Sequence, residues 1–225
     1  MGSSIAYELA KTGRSVCVID KGAGAGQGST SSSSAVLRFN YTTFDAVALA
    51  WEAFHCWLDW QNHLEAPSTD GLVHVSDIGM VMLEVPVLNV DRIGMLFDQA
   101  GIEYEYAKPD RIRELIPGID PGKYGPPKKI DDPEFWDEAT EELNAMYTPH
   151  GGYVSDPMQS AVNLADAAVR KGATFKYKTQ VKEICKDNGR VCCVITDSGE
   201  EISAPIIVNA AGPWSGKINE LAGAG

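Results

Sequence analysis

The chain has 225 residues, 44% hydrophobic and 22% charged, with a formal net charge of −12 and an isoelectric point near 4.7. That length can bury a large core in one or two domains. The acidic balance argues against nucleic acid and anionic membrane surfaces, which need a basic face; no apolar run approaches the roughly 20 residues of a spanning helix, and no signal-peptide pattern is read.

The opening segment, Met1 to Gly13, carries Ile5, Leu9 and alanines at helical spacing, with Gly13 as a C-terminal stop. Ser15–Asp20 (S-V-C-V-I-D) follows as a short buried strand that ends in an acid. This pattern predicts the second half of a β-α-β unit. In a dinucleotide-binding unit the last glycine of G-x-G-x-x-G falls at Gly2, and the ribose-binding acid, about 20 residues beyond the glycine loop, falls at Asp20. The first strand and first two glycines are not in the sequence, so a fragment starting inside the fingerprint is expected. Gly24–Tyr41 is a polar Gly- and Ser-rich loop by composition.

Thr43–Leu64 has apolar residues at helical spacing and three tryptophans, which predicts one long helix. Leu72–Val75 and Gly79–Leu83, separated by Ser-Asp, give a hairpin signal. Val87–Ala100 reads as a helix stopped by Gly101, Ile102–Tyr106 as a strand, and Pro109–Leu115 as a short helix with Pro at its start. Asp120–Thr148 is rich in Pro, Gly and charge and shows no strand pattern; it is expected to be an insertion or lid-like loop with one short helix within Glu134–Met146. Asp156 is placed to cap a helix over Pro157–Lys171, stopped by Gly172. Strands are predicted at Thr174–Lys178, Val181–Lys186 and Arg190–Thr196, the last two joined by the turn Asp187-Asn188-Gly189. Glu201–Asn209 is expected to return to the parallel sheet, and Pro213–Leu221 to begin a last helix.

Ile206–Ser215 (I-I-V-N-A-A-G-P-W-S) is the most informative stretch. An apolar run enters a turn of small residues, where a flat or phosphorylated ligand can lie against bare backbone. The five cysteines (Cys17, Cys56, Cys185, Cys192, Cys193) are odd in number and form no C-x-x-C. They predict neither a disulfide framework nor a zinc site, and suit a reducing cytoplasm. The four histidines have no metal-ligand spacing, so no metal is expected.

Gly2–Asp20, Gly28–Tyr41 and Val208–Trp214, with the Gly151-Gly152-Tyr153-Val154-Ser155-Asp156-Pro157 element, together resemble the FAD-dependent oxidoreductases of the D-amino-acid oxidase superfamily. The branch most similar holds sarcosine oxidase, dimethylglycine dehydrogenase and glycine oxidase. The resemblance implies an α/β fold: a Rossmann-like FAD-binding domain with a parallel sheet (1–42 and 151–225) and an antiparallel-sheet substrate domain (43–150). It implies that Gly2 meets the pyrophosphate at a helix N-terminus, that Asp20 binds the ribose and that Lys21 flanks the adenosine. Asp20 stands where the family more often has Glu. It further implies that Gly28, Ser29, Thr30 and Ser31 reach the pyrophosphate and flavin edge, that the backbone of Val181 meets the adenine, and that Ala210, Ala211, Gly212 and Trp214 close over the cofactor. The loop holds Ser and Thr but no His, so FAD is expected to be non-covalent. Arg38 matches an Arg that binds the substrate carboxylate, with Tyr41 as its companion; a guanidinium offers a planar fork for that purpose. Where that branch has an earlier Arg, this sequence has Ala35.

The implied reaction is oxidation of a C–N bond in a small amine or amino acid by hydride transfer to flavin. The resemblance leaves the electron acceptor open. Further substrate contacts and the final flavin-binding loop lie in the family's C-terminal half, and the first strand that would pair with Ser15–Asp20 is missing, so a chain limited to these residues is expected to bind FAD poorly and turn nothing over. Two other readings stand beside this one: a dehydrogenase of a 2-hydroxy acid or glycerol phosphate, and a non-catalytic member used in assembly or interaction. Gly2 and Asp20 alone suit a nicotinamide dinucleotide equally well; the N-A-A-G-P-W turn and Ser-rich loop favour FAD.

Overall fold

The computed structural model describes residues 1–67 and 71–224. In chain order the elements are α1 (Gly2–Lys11), β1 (Cys17–Ile19), β2 (Val36–Leu37), α2 (Phe44–Leu58), α3 (Trp60–His63), β3 (Val75–Asp77), β4 (Met80–Leu83), α4 (Val90–Ala100), β5 (Glu105–Ala107) and α5 (Pro109–Leu115). They continue with β6 (Ala145–Thr148), β7 (Gly152–Val154), α6 (Pro157–Arg170), β8 (Thr174–Lys176), β9 (Val181–Asp187), β10 (Arg190–Thr196), β11 (Glu201–Ser203) and α7 (Ser215–Leu221). The fold is mixed α/β, with a parallel sheet and separate antiparallel sheets.

The chain divides into two units. The first holds Met1–Ala35, Asp59–His74 and Val154–Gly225; the second holds Val36–Leu58 and Val75–Tyr153. In the first, β1 and β8 run parallel with Val18 opposite Phe175. Small side chains let α1 pack closely on α6: Ala6 and Ala10 on one helix and Ala165, Ala167 and Ala168 on the other are buried. Tyr7 is fully buried on α1, and its hydroxyl donates to the carbonyl of His63 at 2.8 Å. Asp156 caps α6 by accepting the N–H of Gln159 at 2.9 Å, as its sequence position predicts. The β9–β10 hairpin turns at Asn188 and Gly189, both with positive φ (48° and 79°), the conformation an Asn-Gly turn supplies at least cost.

In the second unit, Phe39, Val47, Phe54, Phe97 and Met146 form the centre of an apolar cluster. The Phe39 ring meets Trp51 and Phe54 edge-on at 5.0 and 5.1 Å between centroids. β6 lies between β4 and β5, antiparallel to both. β2 pairs antiparallel with β7, Val36 opposite Tyr153 and Leu37 opposite Gly152.

Several expectations are corrected. The helix over Thr43–Leu64 is broken: α2 ends at Leu58, Asp59 leaves helical geometry (φ −113°, ψ 41°), and α3 restarts at Trp60. β3 and β4 do not form a hairpin; they enter different sheets, while the N–H groups of Ile78 and Gly79 both reach the carbonyl of Gly151. Asp120–Thr148 contains β6, a central strand, and its helical turn is a 3-10 turn at Pro133–Trp136 rather than a later helix. Glu201–Asn209 does not return to the parallel sheet. Only Glu201–Ser203 is a strand, antiparallel to β10, and Ile206 and Val208 beyond it are exposed. Finally, Cys185 and Cys193 form a disulfide where none was expected. They are register partners across β9 and β10, with Cα atoms 5.0 Å apart, well inside the reach of a bridge.

Candidate dinucleotide site and an apolar recess

In the first unit α1 opens the described chain at Gly2. Met1 is its N-cap and makes no side-chain cap bond, and no acidic residue stands in the first turn. The first N–H groups of the helix therefore have no intrahelical acceptor and carry the positive end of its dipole. Gly2 lies beside the second small-residue segment: a Cβ on Gly2 would stand 3.7 Å from the Cβ of Ala210. Asn209 builds the turn there. Its Oδ1 accepts the N–H of Ala211 at 3.2 Å, and its Nδ2 donates to the Ser215 carbonyl at 2.9 Å and to Asn219 Oδ1 at 2.7 Å. Gly212 takes a left-handed φ of 56°, which allows the chain to enter the 3-10 turn through Trp214.

Asp20 follows β1 directly. Its N–H donates to the Lys176 carbonyl at 2.9 Å and its carbonyl accepts from Thr179 at 3.0 Å, so its backbone is held at the end of the parallel pair. Its side chain is exposed, with one carboxylate oxygen accepting the N–H of Gly22 at 2.7 Å. Burial pushes the nearby Tyr177 phenol up, and the charges of Asp20 and Asp166 push it further. The Lys21 ammonium stands 3.7 Å above the centre of the Trp214 ring. The structure thus joins Gly2 to Ala210 and Lys21 to Trp214.

Gly28, Ser29, Thr30 and Ser31 lie in an exposed loop. Ser31 is tied into it, its N–H donating to Gly26 and its hydroxyl to Gly28 at 3.0 Å each. Val181 opens β9, opposite Thr196.

In the second unit, Leu37 and Phe39 face the apolar cluster, so Val36 and Arg38 take the other face of the same extended segment. The Arg38 guanidinium lies over the Tyr41 ring, 5.2 Å from its centre. Arg38 and Tyr41 are both exposed. On that outer face Val36 and Tyr153, a cross-strand pair, join residues 78–81 around a recess of about 260 Å³. Sequence reading passes over this recess. Its one local signal is the alternation from Val36 to Phe39, and the remaining walls arrive through pairing of distant segments.

These groups fit an extended anionic dinucleotide. The first turn of α1 offers N–H donors, the Asp20 carboxylate keeps acceptor capacity, and the 209–212 turn presents small residues. Among the described residues, no group of three or more His, Cys, Asp or Glu is arranged to hold a metal ion, and no helix is long and apolar enough to cross a membrane.

Comparison with known proteins gives three findings. A family model described as FAD dependent oxidoreductase matches residues 1–225. Among solved structures, L-proline dehydrogenase from P. horikoshii superposes with a TM-score of 0.75 at 23% identity, covering 98% of this chain and 52% of that one. Glycine oxidase from Geobacillus kaustophilus gives 0.74 at 23% identity, covering 99% and 55%. A curated relative from Mus musculus, the mitochondrial pyruvate dehydrogenase phosphatase regulatory subunit, is 26% identical over 216 residues, which is 96% of this chain and 22% of that protein. The chain therefore spans about half the length of the solved structures and about a fifth of the curated relative.

Proposed function

Because the chain belongs to the FAD dependent oxidoreductase family, we propose that it supplies the dinucleotide site and part of the substrate site of an enzyme that oxidises the C–N bond of an amino acid or N-methylated amine. The observation that carries this reading is the close approach of Gly2 on α1 to Ala210 in the Asn209–Gly212 turn. FAD, when bound, supplies the acceptor for the hydride leaving the carbon bonded to the substrate nitrogen. The first-turn N–H groups of α1, beginning at Gly2, hold the pyrophosphate. The free acceptor capacity of Asp20 takes the ribose hydroxyls. Lys21 and Trp214 cover the adenosine side, Ala210 and Ala211 permit close approach, and the Val181 backbone meets the adenine. Gly28, Ser29, Thr30 and Ser31 contribute N–H and hydroxyl donors, and with no His in that loop the attachment is non-covalent. Arg38, its guanidinium over the Tyr41 ring, binds the substrate carboxylate with a bidentate fork and orients the substrate. The names of the two solved structures, an L-proline dehydrogenase and a glycine oxidase, support an amino-acid substrate.

The test uses the natural gene product. Anaerobic addition of amino acids or N-methylated amino acids is expected to bleach its flavin, whereas 2-hydroxy acids of the same skeleton leave it coloured. Arg38→Ala is expected to raise KM roughly 10- to 100-fold, the loss of one charge-assisted contact. An unchanged KM would remove Arg38 from the site.

A second reading is favoured by the mouse relative, which is named as a regulatory subunit. In that case the gene product works in an assembly, and the exposed, acidic part of the Asp120–Thr148 excursion that precedes β6 is the contact surface. Substrate-dependent bleaching separates the two readings.

A further inference from the structure

Residues 116–144, between α5 and β6, exceed the roughly 12–15 residues of an ordinary connection. Their two legs are tied to each other. The Lys123 N–H donates to the Glu141 carbonyl and the Leu143 N–H to the Pro121 carbonyl, both at 2.8 Å. The Lys123 ammonium pairs with the Glu141 carboxylate at 2.6 Å, and Arg113 of α5 pairs with Glu142. Between the legs in sequence lies the 3-10 turn Pro133–Trp136, which Asp132 caps by accepting the N–H of Glu134 at 2.9 Å. Lys128 pairs with the Glu134 carboxylate at 3.0 Å.

This bracing holds apolar side chains in water. Trp136 is 76% exposed and Ile130 72%, and the Phe135 ring meets the Trp136 ring edge-on, 4.9 Å between centroids. Exposed apolar groups gathered on one ordered loop mark a contact site. Tryptophan is enriched among the side chains that carry the energy of interfaces, and a turn fixed in advance loses less entropy on association.

Charge identifies the occupant. Residues 128–138 hold five carboxylates against two lysines. Asp131 and Asp137, next in sequence to Ile130 and Trp136, are exposed and make no hydrogen bond or ion pair among the described residues. A second copy would set acid against acid, in a chain whose net charge is already −12. Nucleic acid and anionic membranes are repelled in the same way. A basic side chain fits instead: its cation lies over an indole face and pairs with carboxylates, while its methylenes cover apolar surface.

We propose that residues 128–138 are a docking tip for a basic segment of a partner protein. A cation of that segment covers the Trp136 indole and pairs with Asp131 or Asp137, and an apolar neighbour packs on Ile130 and Phe135. This rests on the reading of the gene product as part of an assembly that the excursion contacts.

The test titrates the natural gene product into a labelled, capped peptide, Arg-Leu-Arg-Arg-Leu-Arg, and follows fluorescence anisotropy; Glu-Leu-Glu-Glu-Leu-Glu is the control. The basic peptide is expected to bind and the acidic one to stay free. Trp136→Ala should weaken binding about tenfold. Asp131→Asn with Asp137→Asn should weaken it several-fold and flatten its dependence on salt. These exposed substitutions should leave Tm within about a degree of the parent. Binding that persists in Trp136→Ala but is lost when residues 128–138 are replaced by a Gly-Ser stretch of equal length would overturn the tip and leave the excursion as the contact surface. Binding untouched by that replacement would overturn both. A basic peptide that fails to bind would overturn the basic partner. Uptake of phosphatidylcholine vesicles that needs Trp136, or a concentration-dependent dimer abolished by Trp136→Ala, would overturn it in favour of a membrane or a second copy. Trp136 fluorescence, isolated by difference from Trp136→Phe and shielded from acrylamide before any addition, would show the tip already covered and would also overturn it.

Discussion

Gly152 and Gly28 both lie in backbone-lined stretches, and the fold uses them in opposite ways. A Cβ on Gly152 would stand 1.9 Å from the carbonyl oxygen of Ser76, closer than any real contact, so the approach of β7 to β3 consumes that glycine. A Cβ on Gly28 would meet nothing within 4 Å among the described residues. The same division runs through the polar groups. The side-chain amides of Asn163 and Asn209 are spent on backbone groups, the Trp60 indole and Asn219, while Asp20 gives one oxygen to a neighbouring N–H and Arg38 stays exposed over a ring. Residues that the fold consumes should fail in stability, and residues it leaves uncommitted should fail in binding.

Four substitutions sharpen that division, taken from the largest effect on stability to the smallest. Gly152→Ala forces two strands apart and is expected to cost about 3 kcal/mol or more, lowering Tm by roughly 6–12 °C in a thermal melt. A melt unchanged within a degree would mean the strands yield freely. Asn163→Ala removes the acceptor of the buried Val73 N–H (3.1 Å) and of the Trp60 indole, together with the donor to the Gly71 carbonyl. A cost of about 2 kcal/mol in denaturant unfolding is expected, because a buried backbone donor is left without a partner.

Gly28→Ala is expected to change stability by less than about 0.5 kcal/mol, as for a surface position, and to weaken FAD binding in a fluorescence titration. A large loss of stability with intact flavin affinity would reverse the assignment. Tyr124→Phe acts below about pH 10 and loses its effect as pH rises towards 12. The hydrogen bond from Tyr124 to Asp120, 2.6 Å long, is the main cause that pushes this phenol up to about 12 from 10.0. A group whose pKa is raised by folding stabilises the folded state below its unfolded pKa, and that contribution fades as pH rises towards the folded value. The contribution of Tyr124 is therefore whole below pH 10 and fades between about 10 and 12. An ultraviolet phenolate titration should show one late-ionising tyrosine that the variant lacks.

What the sequence reveals follows the reach of the interaction. Pro109–Leu115, Arg190–Thr196, the Asp187–Gly189 turn and the Asp156 cap are fixed by neighbours within a few residues, and the structure has them as read. Asn89 and Gly101 set both ends of α4 by local chemistry, the first accepting the N–H of Arg92 and the second taking φ 70°. The misses come from distance. β6 (A-M-Y-T) has no alternation of its own and becomes a strand because β4 and β5 pair with its two sides. The helix break at Asp59 is hidden by apolar spacing that continues across it. The Cys185–Cys193 bridge depends on register, which cysteine counting cannot supply. At the candidate site, the α1–β1 half with Gly2 and Asp20 is legible because its spacing is local. The walls of the recess come from segments more than forty residues apart in sequence, and no local pattern announces them.

The most direct measurement is equilibrium dialysis of the flavin-stripped natural gene product against FAD and, separately, against NAD. Saturable binding of one FAD per chain, weakened by Asp20→Ala and released intact by acid precipitation, is the expected result, with no comparable uptake of NAD. Uptake of NAD in place of FAD, or FAD binding indifferent to Asp20 and to Gly28→Ala, would contradict the assignment of α1, Asp20 and the Asn209–Gly212 turn as a flavin dinucleotide site.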